Sequence, residues 1–425
     1  FISNDGHPKE TDITLAFASN APYPAVTRRL GIPIPETALS FEITTEGTGA
    51  ANEVSYCYER VGKRNDDTVV RSAPSPSSDV VAAKTDSVVK ITGFTDAIED
   101  DVYVSHYWIY RLEVGTTNTE FQFIAEITKD VTEYSDTLTN QSYEILPAKI
   151  WSPPVNNLRG LTVGSNGLIF GYQGNVLYVS PPNIPYAFPD DYTLTMPSVI
   201  VGLGVIGTVL VVLTKTTPVF VYGTQPGEFS QEPLGIELSC TSERSIVNVR
   251  GGVIFASTLG LYLVDASGNA PINITINTFS QTQWSALPID DLFAFYYNDA
   301  YLGFFKGTNQ GIEFKVGQQE IRRFRTDRYV WGGRYVSTVS NTFYAWTPSD
   351  YDAMVTADGY TFLVKGNETP ISYDTLYLIQ TSASGGREII AWEVDDYKDY
   401  EWESKEYTLL RKTVLTAGRV KGDFS

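Results

Sequence analysis

Catalysis needs residues that can act as acid, base or nucleophile, and histidine is the most common of them. Histidine is scarce in this sequence. The sequence contains two, His7 and His106, both in its first half. A Ser-His-Asp arrangement needs an imidazole beside the nucleophile, so we predict no catalytic residues and expect the chain not to be an enzyme. We expect His106, inside a strand-like run, to be a packed or hydrogen-bonded residue.

Metal-ligating motifs are also missing from the sequence. It has no C-x-x-C, no H-E-x-x-H and no calcium loop of alternating Asp or Asn with a closing Glu. Cys57 and Cys240 fall in different predicted domains, and two separated thiols do not make a disulfide framework. We therefore predict neither a metal nor a cofactor.

Paired carboxylates recur along the chain, at Asp100-Asp101, Asp190-Asp191, Asp290-Asp291 and Asp395-Asp396. Two carboxylates that flank a sugar bond serve glycosidases as acid and base. Adjacent residues of a strand point to opposite faces, however. Solvated turns are the favoured interpretation of these pairs.

One basic cluster stands out, Arg322, Arg323 and Arg325 around Phe324, followed by Arg328. It suits an acidic partner or nucleic acid, but a solvated strand face with ion pairs is the favoured interpretation. Most tryptophans are expected in the core rather than as sugar-stacking platforms; those considered are Trp108, Trp284, Trp331, Trp346, Trp392 and Trp402.

Composition indicates the elements that must position these residues. The 425 residues are 42% hydrophobic and 13% aromatic, with 27 Tyr and 21 Phe, which favours strands and an all-β fold. The net charge of −19 argues against a sequence-reading DNA-binding domain. An acidic wall still suits a pore through which DNA must slide without binding tightly.

A hairpin signature repeats along the second half of the chain. An apolar residue followed by an aromatic one marks a strand after a short turn, at intervals of roughly 40 residues. The marks are Leu177-Tyr178, Val219-Phe220, Leu261-Tyr262, Ala300-Tyr301, Phe343-Tyr344 and Leu376-Tyr377. Four short antiparallel strands fill such a period, so we predict a β-propeller of about six blades, within a range of five to seven.

Four segments follow from these patterns. Residues 1–36 form a proline-bearing extended arm that either completes a propeller blade or packs on a neighbour. Residues 37–146 alternate like a β-sandwich of immunoglobulin or fibronectin type III size. Residues 147–157 form a Pro-rich linker, and residues 158–425 form the propeller with C-terminal strands. The apolar run 199–213 is short for a membrane span and reads as two buried strands.

The order of several motifs resembles virion nozzle or tail-tube proteins of short-tailed bacteriophages, which have a central propeller with an inserted fibronectin-like domain. The resemblance covers roughly residues 29 to 405. Its departures are Thr258-Leu259-Gly260, where the family usually has an Asp-Gly turn, and Phe188, often Trp. It rests on Arg29–Pro33, Pro153-Pro154, Val176–Pro182, Tyr186–Pro189, Ile200–Gly204, Val209–Thr214, Val219–Phe229, Cys240–Val247, Gly252–Ser257 and Trp402–Lys405.

This resemblance implies structural roles for the residues of its motifs: Leu30, Gly31, Pro33, Gly202, Gly204, Gly223, Cys240, Arg244, Ser245, Trp402 and Lys405. It implies a ring of about six copies below the portal and adaptor, in the tail of a virion assembled in the host cytoplasm. Such a ring conducts DNA during ejection, without sequence-specific binding, and presents its rim to tail fibres or a distal tip.

Two further expectations concern the acidic pairs and the alternative function. We expect Asp190, Asp191, Asp290 and Asp291, placed between blades, to face the channel or a neighbouring subunit. The alternative is a carbohydrate-binding or carbohydrate-active propeller with an accessory fibronectin-like module. Activity of the monomer on glycans would favour that alternative, and ring-shaped particles would favour the nozzle.

Overall fold

The computed structural model describes most of the chain up to residue 336 and short stretches beyond it. The described residues are 6–19, 24–64, 68–94, 97–114, 120–139, 142, 144–147, 149–225, 227–265, 270–318, 320–336, 353–355, 361–363, 375–392 and 400–401. The chain divides into two compact units, one of residues 1–238 with 342–371, the other of residues 239–341 with 372–425. Within the described residues, no helix is long and apolar enough to cross a membrane.

The N-terminal arm folds back on itself within the first unit. Strand β1 (Lys9–Glu10) leads to helix α1 (Ile13–Ala16), and β2 (Arg28–Arg29) returns to pair antiparallel with β1. The described part of the arm thus pairs with itself and not with a propeller sheet. It is tied to the sandwich by ion pairs of Arg64 with Glu10 and of Arg29 with Glu99.

The segment predicted as a sandwich consists of two antiparallel sheets around one core. A three-stranded sheet has the order β10-β7-β3, and a five-stranded sheet has the order β5-β4-β8-β9 with β6 also paired to β4. The strands are β3 (Ser40–Thr45), β4 (Ala51–Lys63), β5 (Val69–Arg71), β6 (Val81–Lys84), β7 (Val88–Thr92), β8 (His106–Val114), β9 (Gln122–Thr128) and β10 (Glu133–Asp136). Side chains of both sheets, such as Tyr56, Ile91 and Ile109, are fully buried together. The fibronectin type III identity of this sandwich stays a prediction.

Two four-stranded sheets complete the described core of the first unit, each in sequential antiparallel order. One contains β11 (Arg159–Val163), β12 (Ile169–Gln173), β13 (Val176–Val179) and β14 (Thr193–Thr195). The other contains β15 (Ile200–Ile206), β16 (Val209–Thr214), β17 (Val219–Tyr222) and β18 (Ser230–Pro233). They share a core that includes Phe170, Leu177 and Val212. The run 199–213 is therefore the paired strands β15 and β16, as predicted.

The second unit begins with another sheet of the same type, β19 (Val247–Val249), β20 (Gly252–Ser257), β21 (Gly260–Val264) and β22 (Ile272–Asn273). A short helix α2 (Gln281–Ser285), closed by a capping box at Ser280 and Gln283, leads away from it. The buried Trp284 of α2 packs with Phe279 and Leu261 in the core that this sheet shares with the next.

A larger sheet follows, with the order β23-β24-β25-β26-β29-β30 and β31 paired to β26. Its strands are β23 (Leu292–Tyr297), β24 (Ala300–Phe305), β25 (Thr308–Lys315), β26 (Glu320–Val336), β29 (Thr375–Thr381), β30 (Arg387–Trp392) and β31 (Tyr400–Glu401). The strands β27 (Ala353–Val355) and β28 (Thr361–Leu363) pair with each other. Three sequential four-stranded sheets and this larger one give the all-β, β-propeller type of fold that the repeat predicts.

The aromatic marks fit this architecture in part. Tyr178, Phe220 and Tyr262 lie on the third strand of their sheets, after hairpins such as β16–β17. Tyr301 lies on β24, the second strand of its sheet. Leu376-Tyr377 lies on β29, which pairs with the second half of the long strand β26 in the same hydrogen-bonded sheet as Tyr301, so its interpretation as the mark of a sixth blade stays a prediction. Phe343-Tyr344 lies outside the described residues, and the blade number stays a prediction.

Candidate functional site

Three motifs that are distant in sequence meet at one joint of the first unit, between the arm, the linker and the loop after β13. Gly31 has φ +81°, and a Cβ placed on it would lie 2.5 Å from the Tyr186 carbonyl oxygen and 3.0 Å from Pro154 Cδ. Phe188 donates its backbone N–H to the Ser152 carbonyl at 2.7 Å. Only glycine combines this backbone conformation with this close approach. We call this contact the arm–linker joint.

The neighbours of Gly31 in the same motif also serve the joint. Leu30 is buried and donates its backbone N–H to the Pro8 carbonyl at 2.7 Å. The carbonyl of Pro33 accepts a bond from Arg60 Nη1 at 3.3 Å. Leu30, Gly31 and Pro33 therefore hold the arm against the sandwich and linker, which is a structural use of these residues.

A buried carboxyl group lies on the sandwich side of this joint. Glu59 of β4 is fully buried and accepts a hydrogen bond from the Tyr110 hydroxyl at 3.0 Å. Arg71 Nη1 is 3.9 Å from Glu59 Oε2, beyond hydrogen-bond distance. Its guanidinium lies between the rings of Trp108 and Trp151, 4.9 and 5.3 Å from their centroids. Desolvation by burial raises the pKa of Glu59 to about 7, although the charge of Arg71 opposes this shift.

The motif Cys240–Ser245 forms a buried hydrogen-bond network in the second unit. Ser245 Oγ donates to the Ser242 carbonyl at 2.7 Å and accepts from the Ala256 backbone N–H at 3.0 Å. Its own carbonyl accepts from the Tyr301 hydroxyl at 3.1 Å, and Ser242 Oγ donates to the Leu292 carbonyl. These bonds fasten the motif to strands of two successive sheets.

Other motif residues have simpler surroundings. Cys240 is buried, and burial raises the pKa of its thiol to about 12, which makes it inert at neutral pH. Arg244 is exposed. Gly202 and Gly204 lie buried on β15, opposite Leu213 and Val211.

Gly223 follows β17, the third strand of the second four-stranded sheet, with φ +136°, and a Cβ there would lie 2.7 Å from Phe229 Cδ1. Trp402 and Lys405 lie outside the described residues.

Two of the four acidic pairs, Asp190-Asp191 and Asp290-Asp291, occupy exposed single-turn 3₁₀ helices. Asp190 and Asp191 begin the turn Asp190–Tyr192, which connects β13 to β14 within one sheet. The expectation that this pair lies between blades is therefore wrong, because both flanking strands belong to the same sheet. Asp290 and Asp291, in the turn Ile289–Asp291, do lie between two sheets. Their orientation toward a channel or neighbour stays a prediction.

His106 has a more elaborate environment than the sequence indicates. Its Nδ1 is 2.8 Å from Ser105 Oγ, and its Nε2 is 3.7 Å from Glu126 Oε1. Glu126 also accepts from Lys63 Nζ and Trp108 Nε1, each at 2.7 Å. Desolvation raises the pKa of Glu126, but these bonds outweigh it and the net pKa is lowered.

The Ser105 hydroxyl is held by the backbone of β4. It lies 3.2 Å from the Val61 carbonyl, to which it donates, and accepts the Lys63 backbone N–H at 3.0 Å. The direction of the bond between Ser105 Oγ and His106 Nδ1 depends on the tautomer of the imidazole ring. We interpret this group as a network that fastens the sandwich strands. Sequence reasoning missed it because Lys63 and Glu126 reach the adjacent residues Ser105 and His106 only through the pairing of β4, β8 and β9.

The basic cluster divides between two uses. Arg322 pairs with Glu320 at 2.9 Å, and Arg328 pairs with Glu388 at 2.8 Å, which confirms the predicted ion pairs. Arg323 and Arg325 line a small surface depression together with Phe279 and Leu287. Among the tryptophans considered, Trp284 and Trp392 are buried, Trp108 and Trp331 are half-buried, and Trp346 and Trp402 lie outside the described residues. Within the part of the chain that the structure describes, no group of three or more His, Cys, Asp or Glu could hold a metal.

Comparisons with known proteins find no matching family model and no matching curated relative. Similar solved structures include Hsv2 of Kluyvelomyces marxianus, 9% identical, TM-score 0.29, covering 76% of this chain and 75% of that one. The Pan2 WD40 domain of Neurospora crassa is 9% identical, TM-score 0.29, with coverages of 71% and 89%. The dihydro-heme d1 dehydrogenase NirN is 8% identical, TM-score 0.32, with coverages of 85% and 78%. No property of these proteins is transferred to this chain.

Proposed function

We propose that the chain is a structural subunit of the tail nozzle of a short-tailed bacteriophage. In this proposal about six copies form a ring below the portal and adaptor that conducts DNA during ejection. The observation that carries the proposal is the arm–linker joint. Segments Arg29–Pro33, Pro153-Pro154 and Tyr186–Pro189, on which the family resemblance rests, are separated in sequence but meet there.

The chemistry of the motif residues supports the same proposal. Gly31 and Gly223 permit close backbone approaches, and Ser245 fastens successive sheets. Such roles hold a building block rigid rather than bind or convert a substrate. The net charge of −19 suits the wall of a channel that repels DNA and lets it slide.

Labelling of virions tests this function. Phage particles that carry the full chain with an epitope tag are incubated with gold-labelled antibody and imaged by electron microscopy. We expect gold at the tail, below the portal vertex. Particles without label, together with glycan binding or glycan cleavage by the purified monomer, would contradict the nozzle and favour the carbohydrate-directed alternative.

The acidic turns are tested separately by ejection of DNA. The fourfold variant Asp190→Asn, Asp191→Asn, Asp290→Asn, Asp291→Asn removes four exposed carboxylates at two turns. If these groups line the channel, we expect slower or incomplete ejection, because a less repulsive wall retains the phosphate backbone. Unchanged ejection kinetics would count against a channel position but leave the ring intact.

A further inference from the structure

An arginine side chain helps to fasten the linker to the sandwich. The guanidinium carbon of Arg71, on β5, is 4.9 Å from the ring centroid of Trp108 on β8 and 5.3 Å from that of Trp151 in the linker. Both distances are within cation–π range. The Ala73 backbone N–H also donates to the Trp151 carbonyl at 3.2 Å. We call the contact of Arg71 with the two indole rings the arginine clamp.

The arginine clamp is continuous with the arm–linker joint. Trp151 contacts the edge of the Tyr186 ring, with the two centroids 6.1 Å apart. The next residue, Ser152, accepts the Phe188 backbone N–H at 2.7 Å, and the Tyr186 carbonyl oxygen is the atom that approaches Gly31. Release of Trp151 would therefore loosen contacts on which the joint depends.

The same guanidinium lies close to the buried carboxyl group of Glu59. Arg71 Nη1 is 3.9 Å from Glu59 Oε2, which is too far for a hydrogen bond. Glu59 Oε1 and Arg71 Nη1 are both buried, and neither has a hydrogen-bond partner within the described part of the chain. A shift of about 1 Å would bring the two groups to hydrogen-bond distance.

Arg71 is the one cation, among the described residues, whose charge acts directly on the carboxyl group of Glu59. Tyr110 donates its hydroxyl to Glu59 Oε2 at 3.0 Å, and Glu144 is a largely exposed carboxylate. The other titratable groups nearby, each on a different element, are Cys57 on β4, Tyr186 after β13 and Lys149 in the linker. A change in the charge of Glu59 therefore acts first on Arg71.

The protonation state of Glu59 decides which contact Arg71 favours. A neutral carboxyl group attracts a guanidinium group weakly, so the ring faces of Trp108 and Trp151 hold it. An ionised carboxylate attracts the same cation more strongly than the ring faces do, because a full charge replaces a quadrupole. Burial raises the pKa of Glu59 to about 7, which places this change near neutral pH.

We propose that the arginine clamp is a pH-sensitive switch of the arm–linker joint. When Glu59 is protonated, Arg71 lies between the two indole rings and the linker is held. When Glu59 is ionised, Arg71 moves onto the carboxylate, Trp151 is released and the joint opens locally. The joint is thus closed in mild acid and looser above neutral pH.

The sign of the effect follows from the linkage between protonation and opening. The closed joint is the state in which the pKa of Glu59 is raised, so it binds a proton that the open joint releases at the ordinary value of 4.5. Opening therefore becomes easier as pH rises from 4.5 through 7. The switch belongs to a single chain, so its failure would leave the proposed ring assembly untouched.

Hydrogen exchange of the full chain, at pH 5.5 and pH 8, tests the switch. The Phe188 amide reports opening of the joint, the Ser78 amide, bonded to the Tyr56 carbonyl at 2.8 Å, reports the sandwich, and the Ile274 amide reports the second unit. The protection factor is the intrinsic exchange rate divided by the observed rate, which removes the direct effect of pH.

The unmodified chain should give a different result at each amide. Phe188 should be less protected than Ser78 at both pH values, because the joint opens without unfolding of the sandwich. Its protection should fall on the order of tenfold from pH 5.5 to pH 8, since one unit of pKa difference is a tenfold change in the opening equilibrium. Protection of Ile274 should stay constant.

Three variants separate the parts of the switch. Glu59→Gln keeps the shape of the side chain but cannot ionise, so Phe188 should be equally protected at both pH values. Arg71→Lys keeps the positive charge but loses the planar group that stacks on the indole rings, so Phe188 should be less protected at both. The control Glu144→Gln removes a carboxylate at the same 3.9 Å from Arg71 and should keep most of the pH dependence.

Any of three results would overturn the proposal. Equal protection of Phe188 at pH 5.5 and pH 8 in the unmodified chain would show that the joint does not respond to protonation. Equal protection of Phe188 and Ser78 at each pH would show that the joint opens only when the whole sandwich unfolds. A full pH dependence that persists in Glu59→Gln would assign the response to another group.

Discussion

Two buried carboxyl groups of the sandwich, Asp136 and Glu59, meet their arginines in different ways. Asp136 accepts both of its closest bonds from Arg111 Nη1, at 2.7 and 2.9 Å, and further bonds from the Tyr56 hydroxyl and the Leu138 backbone N–H. Glu59 accepts one from Tyr110, and its Oε1 is without a partner within the described structure.

The difference shows that burial beside an arginine does not by itself stabilise a carboxylate. Arg111 is within hydrogen-bond distance of its acid, whereas Arg71 is 3.9 Å from Glu59 and held between two indole rings. Burial removes water from the charged form of a carboxyl group, and the pKa of the group rises when its hydrogen bonds are too few to offset that loss. Asp136 is therefore hydrogen-bonded on both oxygens within the sandwich core, whereas Glu59, beside the arm–linker joint, has a raised pKa and one oxygen without a partner in the described structure.

The largest effect is expected at the satisfied pair. Arg111→Ala leaves Asp136 buried without its ionic partner, which should lower the free energy of unfolding by about 3–5 kcal/mol. Urea unfolding followed by tryptophan fluorescence measures this loss. A loss below about 1 kcal/mol would show that Asp136 finds other partners and would remove the contrast with Glu59.

Glu59 should make stability depend on pH. Its folded pKa of about 7 exceeds the ordinary value of 4.5, so the folded state binds the extra proton and stability falls as pH rises from 4.5 through 7. Relative to Glu59→Gln, the unmodified chain should lose roughly 3 kcal/mol between pH 4 and pH 8.

Exposed Glu144, 3.9 Å from the same arginine, supplies the control for this prediction. The charge of Glu144 makes the smallest contribution to the raised pKa of Glu59, so Glu144→Gln should keep most of the pH dependence of the unmodified chain. If the unmodified chain and Glu59→Gln have parallel stability curves, Glu59 does not titrate in this range and its burial is compensated by other groups.

The smallest losses of stability are expected when the hydroxyl groups of Tyr56 and Tyr110 are removed. Tyr56→Phe and Tyr110→Phe each remove one bond to a buried carboxyl group, worth about 1 kcal/mol. The loss in Tyr110→Phe should grow from pH 5 to pH 8, because the bond from Tyr110 favours the ionised form of Glu59 and lowers its pKa. A loss in Tyr110→Phe that is the same at both pH values would show that this bond does not favour the ionised form.

The parts of the fold that could be predicted from the sequence are those that depend on local patterns of residues. Apolar runs and the turn residues beside them were enough to predict strands such as β16 and β20. The excess of acidic over basic residues was enough to predict ion pairs for Arg322 and Arg328. The local pattern at Leu376-Tyr377 does not distinguish an added strand of an existing sheet from a strand of a new blade.

The sequence shows the motifs of the arm–linker joint separately but does not show that they are in contact. Glu59 lies in the run Tyr56-Cys57-Tyr58-Glu59-Arg60 of β4, where strand alternation alone does not decide which polar side chain is buried. Its environment comes from Trp151 and Tyr186, far along the chain. Likewise, the close approach of Gly31 to Pro154 is a long-range contact that no local pattern encodes.

The mass of the assembly formed by the purified full chain tests the central claim most directly. Light scattering at low salt, over a range of protein concentrations, should give a single closed species at about six times the mass of one chain, with ring-shaped particles in micrographs of the same sample. A monomer at all concentrations, or an open series of masses without closure, would contradict the account of this chain as a ring-forming nozzle subunit.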